Sequence, residues 1–423
     1  MPITALGFLA VFSVGCLVAL KRPFVGLLLY FFVFYMHPPG KYWGAYLPEI
    51  RWTFIVAAIT LMSALINEKK KSDWLRPRQS KFLFIFFLFI IFQYPFAISP
   101  SWHKEFIVLF FKMFMLYYLI ISLTKTPKRF KVLIVTNLAG IAYIGFTALQ
   151  THSSGRFEAA GLPSISDSNL LGIHTIPILL LGGFLFLSQQ NKQRYWLVPL
   201  LLFAANLIVM TGSRGAMVAI FLGGATAVLC APKMMKARLY KWATIALVCF
   251  SFVSADLIIE RFESMFAEES SEVVEKSAES RIIILEAQVE MFKEHFLIGG
   301  GHRTTLLLSP FYISKEYMTQ TKAGALRGSH NLTMSILNDH GIIGFTIFAA
   351  ILFCCVKQLF SIKNASEASF ENKYLATGLL AAVFAFLVAS QFSNSKVLEV
   401  YIWLIALIVS FSQIYSHARS SND

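Results

Sequence analysis

The sequence predicts an all-α, polytopic membrane protein of about 12 transmembrane helices with a large outer loop that itself contains helices. Three observations predict it. The 423 residues are 57% hydrophobic and only 14% charged, with a mean hydropathy of +0.64, whereas soluble domains carry about a quarter charged residues. Apolar runs at 82–97, 106–123, 173–187, 196–210 and 397–411 are long enough, or nearly so, to cross a hydrocarbon core. Basic residues recur on every second connection: Lys69, Lys70 and Lys71 with Arg76, Arg78 and Lys81; Lys125, Lys128, Arg129 and Lys131; Lys192 and Arg194; Lys233, Lys236, Arg238 and Lys241; Lys357, Lys363 and Lys373. That alternation is the positive-inside pattern, so the net charge of +14 reads as a topology signal and no nucleic-acid partner is expected.

Taken in order, residues 1–20 are apolar and stop at Lys21-Arg22, which reads as a first span and not a cleaved leader. Lys21-Arg22-Pro23 then splits two short apolar runs before residue 36, leaving the orientation of the N-terminus open. Assigning the basic clusters to the cytoplasm puts 37–51, 99–104, 150–168, the 212–214 turn, 260–329 and 391–396 on the outside, with about 12 to 13 spans between. The whole chain, 1–423, forms one transmembrane domain, and 260–329 is a large loop inserted between spans. Cys16, Cys230, Cys249, Cys354 and Cys355 all fall inside apolar spans without metal-ligand spacing, so neither a disulfide framework nor a zinc site is expected.

The loop has its own texture. Glu263, Glu268, Glu269, Glu272, Glu275 and Glu279, with serines between, predict a solvated stretch. Residues 280–298 then read as an amphipathic helix able to lie on a membrane surface: Ile284, Leu285, Met291, Phe292 and Phe296 alternate with Glu286, Glu290, Lys293 and Glu294. Gly299-Gly300-Gly301 ends it, and Arg303, Lys315, Lys322 and Arg327 make the second half basic.

Two positions stand out because charge at a membrane boundary is costly. Arg214 lies in Thr211-Gly212-Ser213-Arg214-Gly215-Ala216, between two apolar runs with almost no loop to hold it. Small neighbours leave room for a ligand, and a planar guanidinium fork suits a phosphate or diphosphate; an arginine snorkelling to the interface would look the same. His330 closes Gly328-Ser329-His330-Asn331 at the mouth of the next span, where a histidine serves either as a general base or as a simple helix-start residue.

In series these pieces make a stronger pattern: Gly-Ser-Arg-Gly in a tight turn, Ser280-Arg281 opening a helix, the triple glycine, then His330-Asn331 entering a span that runs on to Gly341-Ile342-Ile343-Gly344. The pattern resembles the O-antigen ligase and polymerase superfamily of bacterial envelope enzymes, which transfer glycans from undecaprenyl diphosphate. The motifs cover roughly 160–345, and the span layout covers the rest. Lys21-Arg22-Pro23-Phe24-Val25-Gly26 and Met36-His37-Pro38 also look like ligase-type members associated with exopolysaccharide and exosortase gene sets.

The resemblance implies an inner-membrane enzyme with its site on the periplasmic face, undecaprenyl-diphosphate-linked glycan as donor, lipid A-core as acceptor, membrane lipid around it, and no cofactor or metal. Arg214 and Arg281, at matching positions, would hold the diphosphate, and His330 would activate the acceptor hydroxyl, giving inversion at the sugar carbon. Asp167 and Asn169 match an Asp/Asn element of the family. They read as positioning groups or, for Asp167, as a helix cap; one carboxylate and one amide make a poor divalent site. Arg303, Lys322, Arg327 and Arg156 would line the approach for acceptor or glycan, or are solvated loop charges, and Asn331 would bind substrate next to His330. His302 is a candidate second base and His340 a structural residue. Polymerases and protein O-oligosaccharyltransferases share the donor chemistry, so the arginines and histidine do not separate them from a ligase; one large outer loop near the histidine favours the ligase. A transporter would show inverted repeats or broken helices at the midplane, and the sequence displays none.

Overall fold

The structure, a computed structural model, describes residues 1–68, 73–151, 155–158, 162–245, 248, 268–321 and 324–420. In chain order the first helices are α1 (Ile3–Lys21), α2 (Pro23–Met36), α3 (Trp52–Asn67), α4 (Arg78–Phe92), α5 (Pro100–Leu123), α6 (Pro127–Thr151), α7 (Ser168–Ser188) and α8 (Leu197–Thr211). They continue with α9 (Arg214–Cys230), α10 (233–245), α11 (Glu268–Glu294), α12 (Thr304–Tyr312), α13 (Leu332–Asn364), α14 (Phe370–Ala389) and α15 (Val400–Ser420). Prolines at the first turn start α2, α5 and α6, where their missing N–H costs nothing. Beside the helices stands one small antiparallel hairpin, β1 (Thr319–Thr321) with β2 (Gly324–Leu326), pairing Thr319 with Leu326.

Eight of the described helices are long and apolar enough to cross a membrane: α1, α5, α6, α7, α8 with the turn before it, α13, α14 and α15. α3 and α9 are shorter apolar helices. The multi-pass helical architecture stands; a total of 12 crossings does not follow from these lengths. α7 lies at the centre, with 83% of its apolar window buried in the bundle, against 17% for α1 at the edge. Small residues allow the central contacts: a Cβ on Gly378 of α14 would come within 2.5 Å of Phe184 on α7.

The basic clusters gather at one end of this bundle. Lys125 pairs with Glu68 at 2.9 Å, Lys131 with Glu371 at 2.6 Å, the Lys363 ammonium donates to the Cys230 carbonyl, and Arg238 donates to the carbonyl of Gln189. The opposite end carries 268–331 and is called the loop end below.

α11 corrects the sequence expectation in two ways. Among the described residues it already runs from Glu268, twelve residues before the expected start at 280, and it stops at Glu294. Glutamates are good helix formers and sit favourably in a first turn, so the acidic stretch from Glu268 propagates the helix instead of fraying it. Glu263 lies outside the described residues.

α13 breaks at Gly341, whose φ of 63° and ψ of −171° no other residue type adopts readily. The freed backbone groups are taken over by the glycine loop that follows α11. Gly300 N–H donates to Asn338 O and Gly301 N–H to Asp339 O, both at 2.9 Å, while Ile342 N–H donates to Phe296 O at 2.8 Å. A side chain at 341 would strike the Leu297 carbonyl at 2.3 Å. The glycine run is therefore a wedge that completes a broken span.

Candidate functional site

Three helix N-termini meet at the loop end, each capped by its own side chain. Asp167 caps α7 by accepting from Asn169 N–H at 2.9 Å and Leu170 N–H at 3.0 Å. Ser213 caps α9 through Ala216 N–H at 3.3 Å, after Gly212 has turned the chain at φ 55°. Asn331 caps α13 through Met334 N–H at 3.0 Å. The ends of α7 and α9 touch, and the end of α13 joins them through the turn after α14. A Cβ on Gly172, one turn into α7, would meet Ala216 at 2.9 Å; a Cβ on Gly215 would meet Phe392 at 2.8 Å. The turn holding Phe392 is tied to α13 by Leu332 N–H to Ser390 O at 2.9 Å and by Thr333 to Gln391 at 3.0 Å. Helix N-termini carry partial positive charge, so their convergence prepares a place for an anion.

Cations join them. Arg214 occupies the first position of α9 and is exposed. Arg281 is exposed on α11, next to Ser280, whose hydroxyl accepts from Arg327 at 3.2 Å. Ser309 accepts from the Arg327 N–H at 2.9 Å, and Gln288 of α11 donates to Thr305 and to Ser329, fixing the strand of chain that leads into His330. Among the described residues neither Arg214 nor Arg281 forms an ion pair.

His330 keeps an exposed edge. Desolvation by the surrounding chain, and then the charges of Arg327 and Arg281, hold its pKa below the ordinary histidine value, while Asp167 pulls in the opposite direction. The ring is thus neutral at physiological pH and able to accept a proton. The charges of Arg281, Arg327 and Asp167 thus all bear on one imidazole, although they come from three separate segments.

Other candidates fall elsewhere or serve differently. Asn331 uses its side chain as a cap, which the sequence did not predict, and so does Asp167, as the plainer reading of Asp167 had it. Asn169 lies in the first turn of α7. Arg156 is exposed in a segment tied to the end of α8 by Phe157 N–H to Met210 O at 2.9 Å. Lys322 lies outside the described residues. Arg303, on a residue of left-handed φ 66°, stacks 4.9 Å from the Trp102 ring.

Arg303 borders a second polar cluster that sequence reasoning missed. Buried Asp339 accepts the N–H groups of Arg303 at 3.1 Å and Thr304 at 3.0 Å, so it caps α12 from another helix, and it is in contact with the buried ammonium of Lys396. His302 stacks on Phe106 with ring centroids 4.5 Å apart, its Nδ1 3.6 Å from Asp339. Burial, then Lys396 and Arg303, push its pKa far below the ordinary value, which leaves no role as a base near neutrality and makes Lys396 the counter-ion. His340 is buried and bonded to Gln93 at 2.8 Å, a structural residue as expected. A lone lysine ending the short turn 391–396 between two apolar runs, and an acid two residues before Gly341, were the available signals.

A cavity of about 520 Å³ opens at the basic end, lined by Lys131, Gln189, Asn191 and Glu371. It holds none of the candidate residues, and its charged walls already pair with each other, so it is a crease between connections.

Residues 199–349 match the family model described as O-antigen ligase. The match runs from α8 through the break in α13 and takes in Arg214, Arg281, Arg303, Arg327, His330 and Asn331; Asp167, Asn169 and Arg156 precede it. No curated protein matches the chain. The family is one of membrane-bound enzymes of glycosyltransferase type acting on lipid-linked glycans.

Proposed function

We propose that this member of the O-antigen ligase superfamily is a metal-independent, inverting glycosyltransferase. It would move a glycan from undecaprenyl diphosphate onto lipid A-core at the periplasmic face of the bacterial inner membrane. The observation that carries the reading is the gathering of three helix N-termini, one of them opened by Arg214, at the end of the bundle where Arg327 and Arg281 bear on a His330 held below the ordinary histidine pKa. On this reading the basic end faces the cytoplasm, by the positive-inside rule.

The chemistry follows from the groups present. A lipid diphosphate is already a good leaving group and asks for charge neutralisation more than protonation. Arg214 and Arg281, with the helix ends behind them, supply fixed positive charge where the leaving oxygens gain electron density. The acceptor hydroxyl needs a base. His330 takes its proton as the oxygen attacks the anomeric carbon from the face opposite the diphosphate; the new C–O bond forms, the C–O bond to phosphorus breaks, and its electron pair leaves with the diphosphate. Configuration inverts. Arg327 steadies the His330 side of the site, Asn331 and Asp167 position it through the helix starts they cap, and Asn169 and Arg156 edge it on the α7 side. Arg303 would reach a glycan only at the rim, since it sits with the Asp339 cluster.

The test is transfer by purified protein from an undecaprenyl-diphosphate glycan to lipid A-core, with and without EDTA. Lipopolysaccharide formed at the same rate in EDTA supports the ligase. Only longer lipid-linked chains would make the enzyme a polymerase, glycosylated serine or threonine a protein O-oligosaccharyltransferase, and no product on any acceptor would overturn transfer in favour of transport.

A further inference from the structure

The amphipathic helix expected from the sequence divides its apolar residues between two faces. Ile284, Ala287 and Met291 are buried, packed on Ile313 with Leu308 and Tyr312 behind it, so this face belongs to the loop's own small core. A second stripe points away from that core: Ile282, Leu285, Val289, Phe292 and Phe296, at spacings of three and four. Ile282 is 59% exposed, Leu285 43%, Val289 39% and Phe296 48%. At about 1.5 Å per residue its helical part, Ile282 to Phe292, runs for about 15 Å, and Phe296 extends it into the turn after Glu294. Glu286, Glu290, Lys293 and Glu294 hold the remaining face and are exposed. Single exposed apolar residues need no explanation, but an aligned row of them on one helix marks an interaction surface.

What covers it is indicated by where it leads. Phe296 and Leu297 accept backbone hydrogen bonds from Ile342 and Ile343 of α13, and Gly300 O accepts from Ile98 N–H at 2.8 Å. Ile343 is exposed on a helix that qualifies as a membrane span, and exposed Phe92 and Phe96 lie at the adjoining end of α4. Through Phe296 and Leu297 the stripe therefore adjoins the exposed apolar residues of a candidate membrane span.

We propose that α11 is an interfacial membrane helix, its Ile282–Leu285–Val289–Phe292–Phe296 stripe seated in the acyl region of the leaflet at the loop end and its glutamate face in water. This goes beyond the catalytic reading and stands without it. If both hold, Arg281, which borders the stripe, lies at headgroup depth, where the phosphates of a lipid diphosphate travel.

The experiment places a fluorescent amino acid at Val289, and separately at Lys293 and Ile343, in the full chain reconstituted into phosphatidylglycerol–phosphatidylethanolamine liposomes. Quenching by doxyl-labelled lipid is compared with quenching by aqueous iodide. The expected result is that Val289 follows Ile343, quenched by lipid and shielded from iodide severalfold relative to Lys293. Equal iodide quenching at 289 and 293 would overturn the proposal, and so would shielding of 289 from both quenchers, which would mean that a second copy or another protein covers the stripe. Depth is read without any transfer activity, so failure here and failure of the proposed function are distinct results.

Discussion

Two polar clusters lie at either end of the same short helical segment, 332–340, and they are built to opposite plans. Around Asp339 the charges are matched and dry: carboxylate, ammonium and stacked histidine are all buried, and the carboxylate also caps α12. Around His330 the charge is one-sided and open: among the described residues guanidinium groups and helix N-termini outweigh the carboxylate of Asp167, and Arg214, Arg281 and His330 are exposed. A buried matched pair does little but hold segments in place, whereas an exposed excess of one sign is stable only because water, or an anionic ligand, can satisfy it. The difference supports architecture as the role of the first cluster and the proposed anion binding as the role of the second.

Substitutions should separate the two. His330→Ala is expected to lower transfer by on the order of 10²–10⁴, with unchanged level in the membrane and unchanged thermal midpoint in detergent. Full activity of that variant would end the general-base assignment. The closed cluster should answer in the other currency: Lys396→Met leaves the Asp339 carboxylate buried and unpaired, costing about 3–5 kcal/mol of stability. Asp339→Asn combined with Lys396→Met should regain much of the thermal midpoint. If the double variant is no more stable than the single one, the pair is not the cross-link described here.

Arg214→Lys tests the open cluster more finely. Charge is kept and the fork is lost, so a diphosphate held in bidentate fashion should lose about 1.5–3 kcal/mol of charge-assisted hydrogen bonding. The expected reading is a fall in kcat/KM for the donor with no change in the pull-down of protein by membranes. An unchanged kcat/KM would make Arg214 a snorkelling interface residue.

The legible parts of the molecule are those written in local pattern. Hydropathy runs, the alternation of basic connections and the Arg214, Arg281 and His330 motifs could be read directly, because each depends on neighbours in sequence. The Asp339–Lys396 contact joins positions 57 residues apart, and nothing in either neighbourhood specifies the other. The two faces of α11 were also hidden: the sequence shows that Ile284 and Val289 are both apolar, but only packing against Ile313 decides which is buried. Span number was blurred by helices too short to qualify alone, such as α3 and α9.

The smallest effect is the sharpest test of the open cluster's electrostatics. On the proposed mechanism a neutral His330 is the active form, so transfer should hold at neutral pH and fall as pH drops through its lowered pKa. Arg281 is one of the charges that depresses that pKa, after desolvation and Arg327. Arg281→Gln should therefore move the acid limb to higher pH, whatever it does to the maximal rate. Asp167 opposes the depression, and Asp167→Asn, which keeps a capping side chain at the start of α7, should move the limb to lower pH. Opposite shifts from two residues on different helices require that both face the same titrating ring. Shifts of the same sign, or none in either variant, would show that the limb belongs to another group and that the four side chains do not form one site.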